Sequence, residues 1–194
     1  MASIGDIITA RVRVKLLELF FSNPSEKYHV RGLERAIGEE INSVRRELGQ
    51  LERAGILQKE QRKNRLLYWP RKEYPLFGDL ISIVAKSTGI GGSIVSNKSK
   101  LGSLSFVMFS GRFVRWKERV SDEEVEILVV GKVGLNELSS IIRAEESRRG
   151  REINYTVMTR EEFDFRKKRR DPFLQGILAE SRVMIIGDED LLVS

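Results

Sequence analysis

The chain has no cysteine and a single histidine, which limits the metal sites and catalytic groups that it can form. Without cysteine, neither a disulfide bond nor a thiolate metal site can form. One imidazole, that of His29, argues against structural zinc and against imidazole catalysis. Its place at the start of a short helical pattern predicts a surface or capping role. We therefore expect no metal and no cofactor.

Long apolar runs are also absent. No stretch approaches the ~18 residues that a membrane-spanning helix needs. The first residues lack the charged-then-apolar pattern of a secretion signal. These absences predict a cytoplasmic protein that does not contact a membrane.

Charge is distributed unevenly along the 194 residues. Up to Tyr74 there are 15 basic and 10 acidic residues, whereas from Pro75 onward there are 19 and 18. Nearly all of the positive excess therefore lies in the first 74 residues. Such an excess favours a polyanionic partner, because neutralising phosphates releases counterions. Solubility alone is the alternative explanation.

Residues 28–55 have the pattern of two helices joined by a turn. Val30, Leu33 and Ile37 recur at helical spacing, and Gly38 is the residue type that closes a helix in left-handed backbone. A second apolar stripe follows at i, i+3, i+7 and i+10, and it consists of Ile41, Val44, Leu48 and Leu51. The opposite face of this second helix carries Asn42, Ser43, Arg45, Arg46 and Arg53.

Residues 56–69 predict a β-hairpin with a basic turn over 62–65. With a first helix over 7–20, ended by Ser22-Asn23-Pro24, these elements complete a winged helix-turn-helix. A helix of this length enters the DNA major groove, and a basic hairpin beside it grips flanking phosphate. The expected partner is double-stranded DNA, and the residues expected to contact it are Arg31, Asn42, Ser43, Arg45, Arg46, Arg62, Lys63, Asn64 and Arg65.

The rest of the chain predicts linking helices and then a second domain. Residues 75–86 form an apolar-rich helix, and burial between two domains or a dimer contact would each explain its wide apolar surface. Residues 89–103 suggest a helix with loose ends. Strands are expected over 104–109, 125–130, 152–158 and 183–186, and helices over 135–149, 159–168 and 172–180. The predicted domains are 1–74, 75–103 and 104–194.

The second half resembles the minimal nucleotidyltransferase domain of the DNA polymerase β superfamily. The resemblance lies in the stretch Gly111 to Glu118 followed by Glu123 to Gly131. The run Gly150 to Phe163, and Tyr74 to Phe77 ahead of the linking helix, are similar to archaeal and bacterial regulators that join a winged helix-turn-helix to this domain. The resemblance implies the fold class α+β, with an N-terminal winged helix-turn-helix and a nucleotidyltransferase-like α/β domain containing a mixed sheet.

The catalytic positions of that family are altered in this chain. The family's Gly-Ser turn falls on Gly111 and Arg112, and its second glycine falls on Trp116. Its paired aspartates fall on Glu124 and Glu126, and its third carboxylate falls on Asn154, with Glu152 an unpersuasive substitute. Paired carboxylates hold two divalent metals only in precise geometry. We therefore expect no catalytic residue and no metal site here. The non-functional interpretation of the two glutamates is that they are solvated residues at a strand edge.

Three functions remain open. The first is a sequence-specific, homodimeric DNA-binding regulator whose inert second domain dimerises, senses a small anionic ligand or nucleotide, or contacts a partner. The second is an active nucleotidyltransferase of the minimal, antitoxin-like type acting on a partner protein. The third is an architectural protein without sequence preference. The basic run 166–170 is either a solvated helix end or a second phosphate-binding patch.

Overall fold

The computed structural model describes residues 4–194, and they divide into two compact units, residues 4–84 and 85–194. The protein is of the α+β class, and its larger sheet is mixed. The boundary between the units falls inside the predicted linking segment 75–103. Within the described residues, no helix combines the length and the apolar character needed to cross a membrane.

The N-terminal unit consists mainly of three helices and a small antiparallel sheet. After a short 3₁₀ turn (Ile4–Asp6), its elements are α1 (Arg11–Ser22), β1 (Tyr28–His29), α2 (Val30–Ile37), α3 (Ile41–Arg53), β2 (Leu57–Arg62), β3 (Arg65–Pro70) and the beginning of α4 (Phe77–Ser87). The strands lie in the order β1-β3-β2. The hairpin predicted over 56–69 is present, with Arg62 opposite Arg65 at its tip.

The core of this unit comes from one face of each of its first three helices. The apolar side chains from α1, α2 and α3 that are buried there are Leu16, Leu17, Phe20, Phe21, Leu33, Ile37, Val44, Leu48 and Leu51. The periodic stripe predicted for α3 is confirmed at Val44, Leu48 and Leu51, whereas Ile41 is half-buried. The predicted start of the first helix at Ile7 is wrong. The helix begins at Arg11, and Ile7 is 73% exposed after the 3₁₀ turn.

The C-terminal unit surrounds a four-stranded sheet with helices. Its elements are α5 (Gly89–Ser96), α6 (Lys98–Leu101), β4 (Gly102–Ser110), α7 (Gly111–Val114), β5 (Ile127–Val133), α8 (Leu135–Arg149), β6 (Tyr155–Met158), α9 (Arg160–Lys168), α10 (Pro172–Ala179), β7 (Arg182–Ile186) and α11 (Glu189–Val193). The strand order is β6-β5-β4-β7. β5 and β6 are parallel, and the other two pairs are antiparallel.

Helix ends in this unit follow local chemistry closely. Helix α8 has the predicted bounds, and it ends at Gly150, whose φ of 68° is left-handed backbone that glycine adopts without strain. Thr159 caps α9 by accepting a hydrogen bond from the backbone N–H of Glu162, as the capping-box pattern predicts. Asp171 caps α10 in the same way and also pairs with Arg166. The basic run that precedes Asp171 therefore lies at the end of α9.

Two strands begin later than the sequence predicts. β5 begins at Ile127 instead of Val125, and β6 begins at Tyr155 instead of Glu152. The first paired residues are Ile127 and Tyr155. Just ahead of these starts, the backbone N–H of Glu126 donates to the carbonyl of Asn154 at 2.8 Å, and the carboxylate of Glu126 accepts from Arg151 and from the backbone N–H of Asn154.

Candidate functional site

The geometry of α2 is determined by its caps. The imidazole Nδ1 of His29 accepts a hydrogen bond from the backbone N–H of Gly32 at 2.8 Å, which confirms the predicted capping role. A Cβ at Gly32 would lie 3.2 Å from the imidazole ring, so the lack of a side chain at this position leaves room for the ring. The helix ends at Gly38, where φ is 63°. The resulting helix is two turns long and exposes Arg31 and Arg35.

Helix α3 begins with a glutamate cap. The carboxylate of Glu40 accepts hydrogen bonds from the backbone N–H groups of Asn42 and Ser43 at 2.8 and 2.9 Å. These two hydrogen bonds stabilise the ionised carboxylate and lower the pKa of Glu40. Since the stripe through Val44 is buried, the remaining face is presented to solvent.

That face of α3 is polar and basic. Asn42, Arg45 and Arg46 are exposed and Ser43 is half-buried. The guanidinium of Arg46 donates to the hydroxyl of Ser43 at 3.1 Å. Base-reading side chains need both exposure and a held orientation, and Arg46 has both.

The turn between β2 and β3 exposes a run of cations. Lys63 has a φ of 50°, and its carbonyl accepts a hydrogen bond from the amide of Gln61 at 2.8 Å. Arg62 pairs with Glu60 at 2.9 Å, and this hydrogen bond lowers the pKa of Glu60. Arg62 is therefore partly neutralised, whereas the neighbouring Arg65 has no carboxylate partner among residues 4–194.

An open groove of about 830 Å³ lies between α2, α3 and this turn, and we call it the arginine groove. It is lined by His29, Val30, Arg31, Glu34, Arg35, Arg45, Asn64, Arg65 and Leu66. Its four arginines come from three separate elements, and Glu34 is the one acidic residue in its lining. In the described part of the chain, none of the four forms an ion pair. Such a surface attracts phosphate, because guanidinium groups donate in pairs to its oxygens.

The structure brings together part of the predicted DNA-contact set. Arg31, Arg45, Asn64 and Arg65 line the arginine groove. The other predicted residues lie on the outer face of α3 or at the hairpin, and they are Asn42, Ser43, Arg46, Arg62 and Lys63. Sequence reasoning missed Arg35, although its spacing of four residues from Arg31 places both on one face of α2.

In the C-terminal unit, Gly111 lies where a strand turns directly into a helix. The buried hydroxyl of Ser110 caps α7 by accepting from the backbone N–H of Phe113 at 3.2 Å. A Cβ at Gly111 would lie 2.1 Å from the hydroxyl oxygen of Ser181, so only glycine fits without movement. Arg112, the next residue, donates from its guanidinium to the carbonyl of Glu118 at 2.7 and 3.1 Å.

The paired glutamates have different surroundings. Glu126 is 1% exposed, and Arg151 donates to both of its carboxylate oxygens at 2.6 and 3.0 Å. Arg119 lies 3.8 Å from the same carboxylate. The interpretation of Glu126 as a solvated strand-edge residue is therefore wrong: it precedes the strand and is a buried ion-pair partner. The hydrogen bonds to Glu126 also raise the pKa of Arg151.

Glu124 precedes β5, and its expected solvation is wrong as well, because its side chain is 12% exposed. Its carboxylate accepts from the backbone N–H of Val120 at 2.7 Å and lies 3.5 Å from Arg112. Asn154 precedes β6, and its side-chain amide donates to the carbonyls of Asp122 and Glu124 at 3.0 Å each. Arginines and backbone N–H groups thus bind the two carboxylates, and backbone carbonyls bind the amide of Asn154.

Trp116 is held by two arginines at the end of α8. The guanidinium carbons of Arg149 and Arg148 lie 4.4 and 5.0 Å from the indole centroid. Glu145, which is 4% exposed, pairs with both arginines at 2.6 Å. The backbone of Trp116 has a φ of 54°, and non-glycine residues adopt this conformation only where surrounding contacts compensate.

A smaller cavity of about 260 Å³ lies beside Glu124. Its lining includes the carboxylates of Glu123, Glu124 and Glu180, together with Ser110 and Phe173. Arg112 is not part of this lining. The negative charges of these carboxylates repel an anion, so this cavity favours neutral or cationic groups. Among residues 4–194, no three carboxylate or imidazole groups are placed to share a metal ion.

Comparison with protein-family models, with curated proteins and with solved structures found no match to this chain.

Proposed function

We propose that this protein is a sequence-specific, DNA-binding transcriptional regulator. In this proposal, residues 4–84 form a winged helix-turn-helix in which α3 is the recognition helix and the β2–β3 turn is the wing. The observation that carries the proposal is the arginine groove, where four arginines without carboxylate partners among the described residues converge from three elements. A regulator of this kind would act in the cytoplasm, where DNA is accessible.

DNA suits this surface better than a small anion does. The cations extend from α2 across α3 to the hairpin tip, so they match a line of phosphates and not a single anion. Asn42 and Arg46 project beside the groove, and these side-chain types form paired hydrogen bonds with adenine and guanine edges in the major groove.

A selection of bound duplexes from random-sequence DNA tests this proposal. The purified full chain should enrich one sequence, and a fluorescently labelled copy should bind more tightly than a scrambled duplex of equal length. A specific regulator is expected to show a preference on the order of 10³-fold or more. Equal binding of both duplexes would replace the proposal with an architectural function, and no binding would refute both.

We further propose that residues 85–194 have a nucleotidyltransferase-like fold that transfers no nucleotide. The support is the arginine pairing of the two carboxylates: Arg151 holds Glu126 and Arg112 lies beside Glu124. Incubation with labelled nucleoside triphosphates and Mg²⁺ or Mn²⁺, with and without cell extract, should give no label transfer. Metal-dependent transfer that disappears in a Glu124→Gln, Glu126→Gln variant would establish the enzyme instead.

We also propose that the protein is a homodimer that reads a palindromic site. An apolar cavity of about 380 Å³ in the N-terminal unit is lined by residues of α1, α3 and the start of α4, including Leu17, Leu51 and Leu80. Leu76 at its margin is 53% exposed, which suits contact with a second copy. Light scattering should give twice 22.3 kDa, and Leu76→Asp should return the mass to 22.3 kDa. A monomeric wild type would contradict this proposal.

A further inference from the structure

We infer that the arginine groove holds the sugar-phosphate backbone of DNA, so that Arg45 is a phosphate ligand while its neighbour Arg46 reads bases. The inference rests on the proposed DNA-binding function and adds a division of labour to it. It also adds Arg35 to the phosphate contacts. The two adjacent arginines of α3 would otherwise be equal candidates for reading sequence.

The first argument is shape. Base edges lie at the floor of the DNA grooves, so a protein element that reads them must project outward, as a helix does. A concave protein surface instead complements a ridge, and the ridges of a duplex are its two backbones. Arg45 lines the concave surface, whereas Arg46 does not. The two side chains therefore meet different parts of a duplex docked on α3.

The second argument is the set of residues that surrounds each arginine. Arg45 shares the groove with Arg31 and Arg35 of α2 and with Arg65 of the turn, and the lining contains a single carboxylate, that of Glu34. Arg35 is ordered by a hydrogen bond of 3.3 Å from its Nε to the carbonyl of Arg31. Several guanidinium groups around one space match closely spaced phosphates, which carry one charge per strand about every 3.4 Å along the helix axis.

Arg46 has the surroundings of a base reader. Its Nη2 donates to the hydroxyl of Ser43, one turn earlier on the outer face of α3, and Asn42 lies beside that hydroxyl in the chain. This hydrogen bond limits the rotamers of Arg46 before DNA arrives. A guanidinium held in a fixed plane can donate two hydrogen bonds to one guanine, which a flexible ammonium cannot reproduce.

The experiment compares substitutions at Arg45 and Arg46 on two probes. The probes are a duplex recovered by selection from random-sequence DNA and a scrambled duplex of the same length and composition. Arg45→Ala should weaken binding to both duplexes by the same factor and lower the slope of log affinity against log salt by about one unit. Arg45→Lys should retain most of the affinity, because a point charge suffices for phosphate. Arg35→Ala should behave like Arg45→Ala.

Arg46 variants should behave differently on the same probes. Arg46→Ala should reduce the preference for the selected duplex by ~5- to 150-fold, the range expected for one paired base contact. Arg46→Lys should lose a comparable share of that preference. The matched control is Lys72→Ala, which removes an exposed cation outside the groove and should leave slope and preference unchanged.

Each result decides the matter. Three results would overturn the inference while leaving DNA binding intact. Arg45→Ala could lose the preference for the selected duplex, or it could bind both duplexes with unchanged affinity. Lys72→Ala could lower the salt slope as much as Arg45→Ala does. A wild type that binds neither duplex would refute the proposed function, and the inference would fall with it. Thermal unfolding of each variant checks that the exposed substitutions leave the fold intact.

Discussion

Glu126 offers a direct measurement of what the arginine pairing contributes to the C-terminal unit. Its carboxylate is 1% exposed and accepts three hydrogen bonds, two from Arg151 and one from the backbone N–H of Asn154 at 3.1 Å. Glu126→Gln keeps the shape of the side chain but removes its charge. One oxygen acceptor is also replaced by an NH₂ donor, which would face the N–H groups of Arg151.

The expected cost follows from these contacts. A hydrogen bond to a charged group contributes about 1.5–3 kcal/mol, and removing one partner of a fully buried pair costs about 3–5 kcal/mol. Arg151 is 30% exposed, so it recovers part of its hydration when the pair is broken. The remaining amide oxygen can still accept from Asn154. We therefore expect Glu126→Gln to lower the free energy of unfolding by about 2–4 kcal/mol.

Tryptophan fluorescence can report the unfolding of the C-terminal unit alone. The chain has two, Trp69 in the N-terminal unit and Trp116 in the C-terminal unit. In a Trp69→Phe background, fluorescence during urea unfolding reports the surroundings of Trp116 alone. The matched control is Glu123→Gln, which neutralises an exposed neighbour.

Two outcomes would refute this reasoning. One is a cost for Glu126→Gln no larger than that of Glu123→Gln, which should be within about 0.5 kcal/mol of zero. The other is strict additivity with Arg151→Gln, because partners in one ion pair should share most of their cost in the double variant. Either result would show that the pair contributes little to stability.

Three further predictions concern single contacts. His29→Ala should lower the free energy of unfolding by about 1 kcal/mol because α2 loses its cap, and His29→Asn should restore most of it; urea unfolding in a Trp116→Phe background measures both. Glu145 is buried, which by itself would raise its pKa, but hydrogen bonds from its two arginine partners outweigh burial and lower the pKa below 4.5. Its ionised form therefore stabilises the fold above about pH 4.5, and this stabilisation is lost as the pH falls through the lowered pKa, so Glu145→Gln should flatten the acid limb of a plot of unfolding free energy against pH. Gly111→Ala should cost about 1–3 kcal/mol because its Cβ meets Ser181, and Ser181→Gly should relieve much of that cost in the double variant, as thermal unfolding would show.

Each of these has a contrary result. Equal stabilities of the alanine and asparagine variants at His29 would remove the cap from the account. An acid limb that is unchanged in Glu145→Gln would assign that pH dependence to other carboxylates. A double variant at Gly111 and Ser181 no more stable than Gly111→Ala would mean that the strain arises elsewhere.

The sequence by itself determined the elements whose signals are local. The apolar spacing of α3, the capping box at Thr159 and the bounds of α8 each depend on residues within a turn or two, so periodicity and caps were sufficient to predict them. The hairpin over 56–69 was predictable for the same reason, since a short basic turn separates two strands that pair with each other. The α+β class with a mixed sheet is also present, although it was expected from the resemblance and not from the local signals of these elements.

Only the tertiary structure decided features that join distant residues. In the sequence, Glu126 has the pattern of a solvated residue at a strand edge. Its burial depends on pairing with Arg151, which lies 25 positions later. The starts of β5 and β6, at Ile127 and Tyr155, follow directly after Glu126 and Asn154, which are joined by backbone and side-chain hydrogen bonds. The arginine groove likewise needs α2, α3 and the turn together, so the spacing of Arg35 from Arg31 could place it on one face of α2 but could not place it beside Arg45 and Arg65. Local periodicity records which face of an element is buried, but the charges that face one another across elements are determined by chain topology.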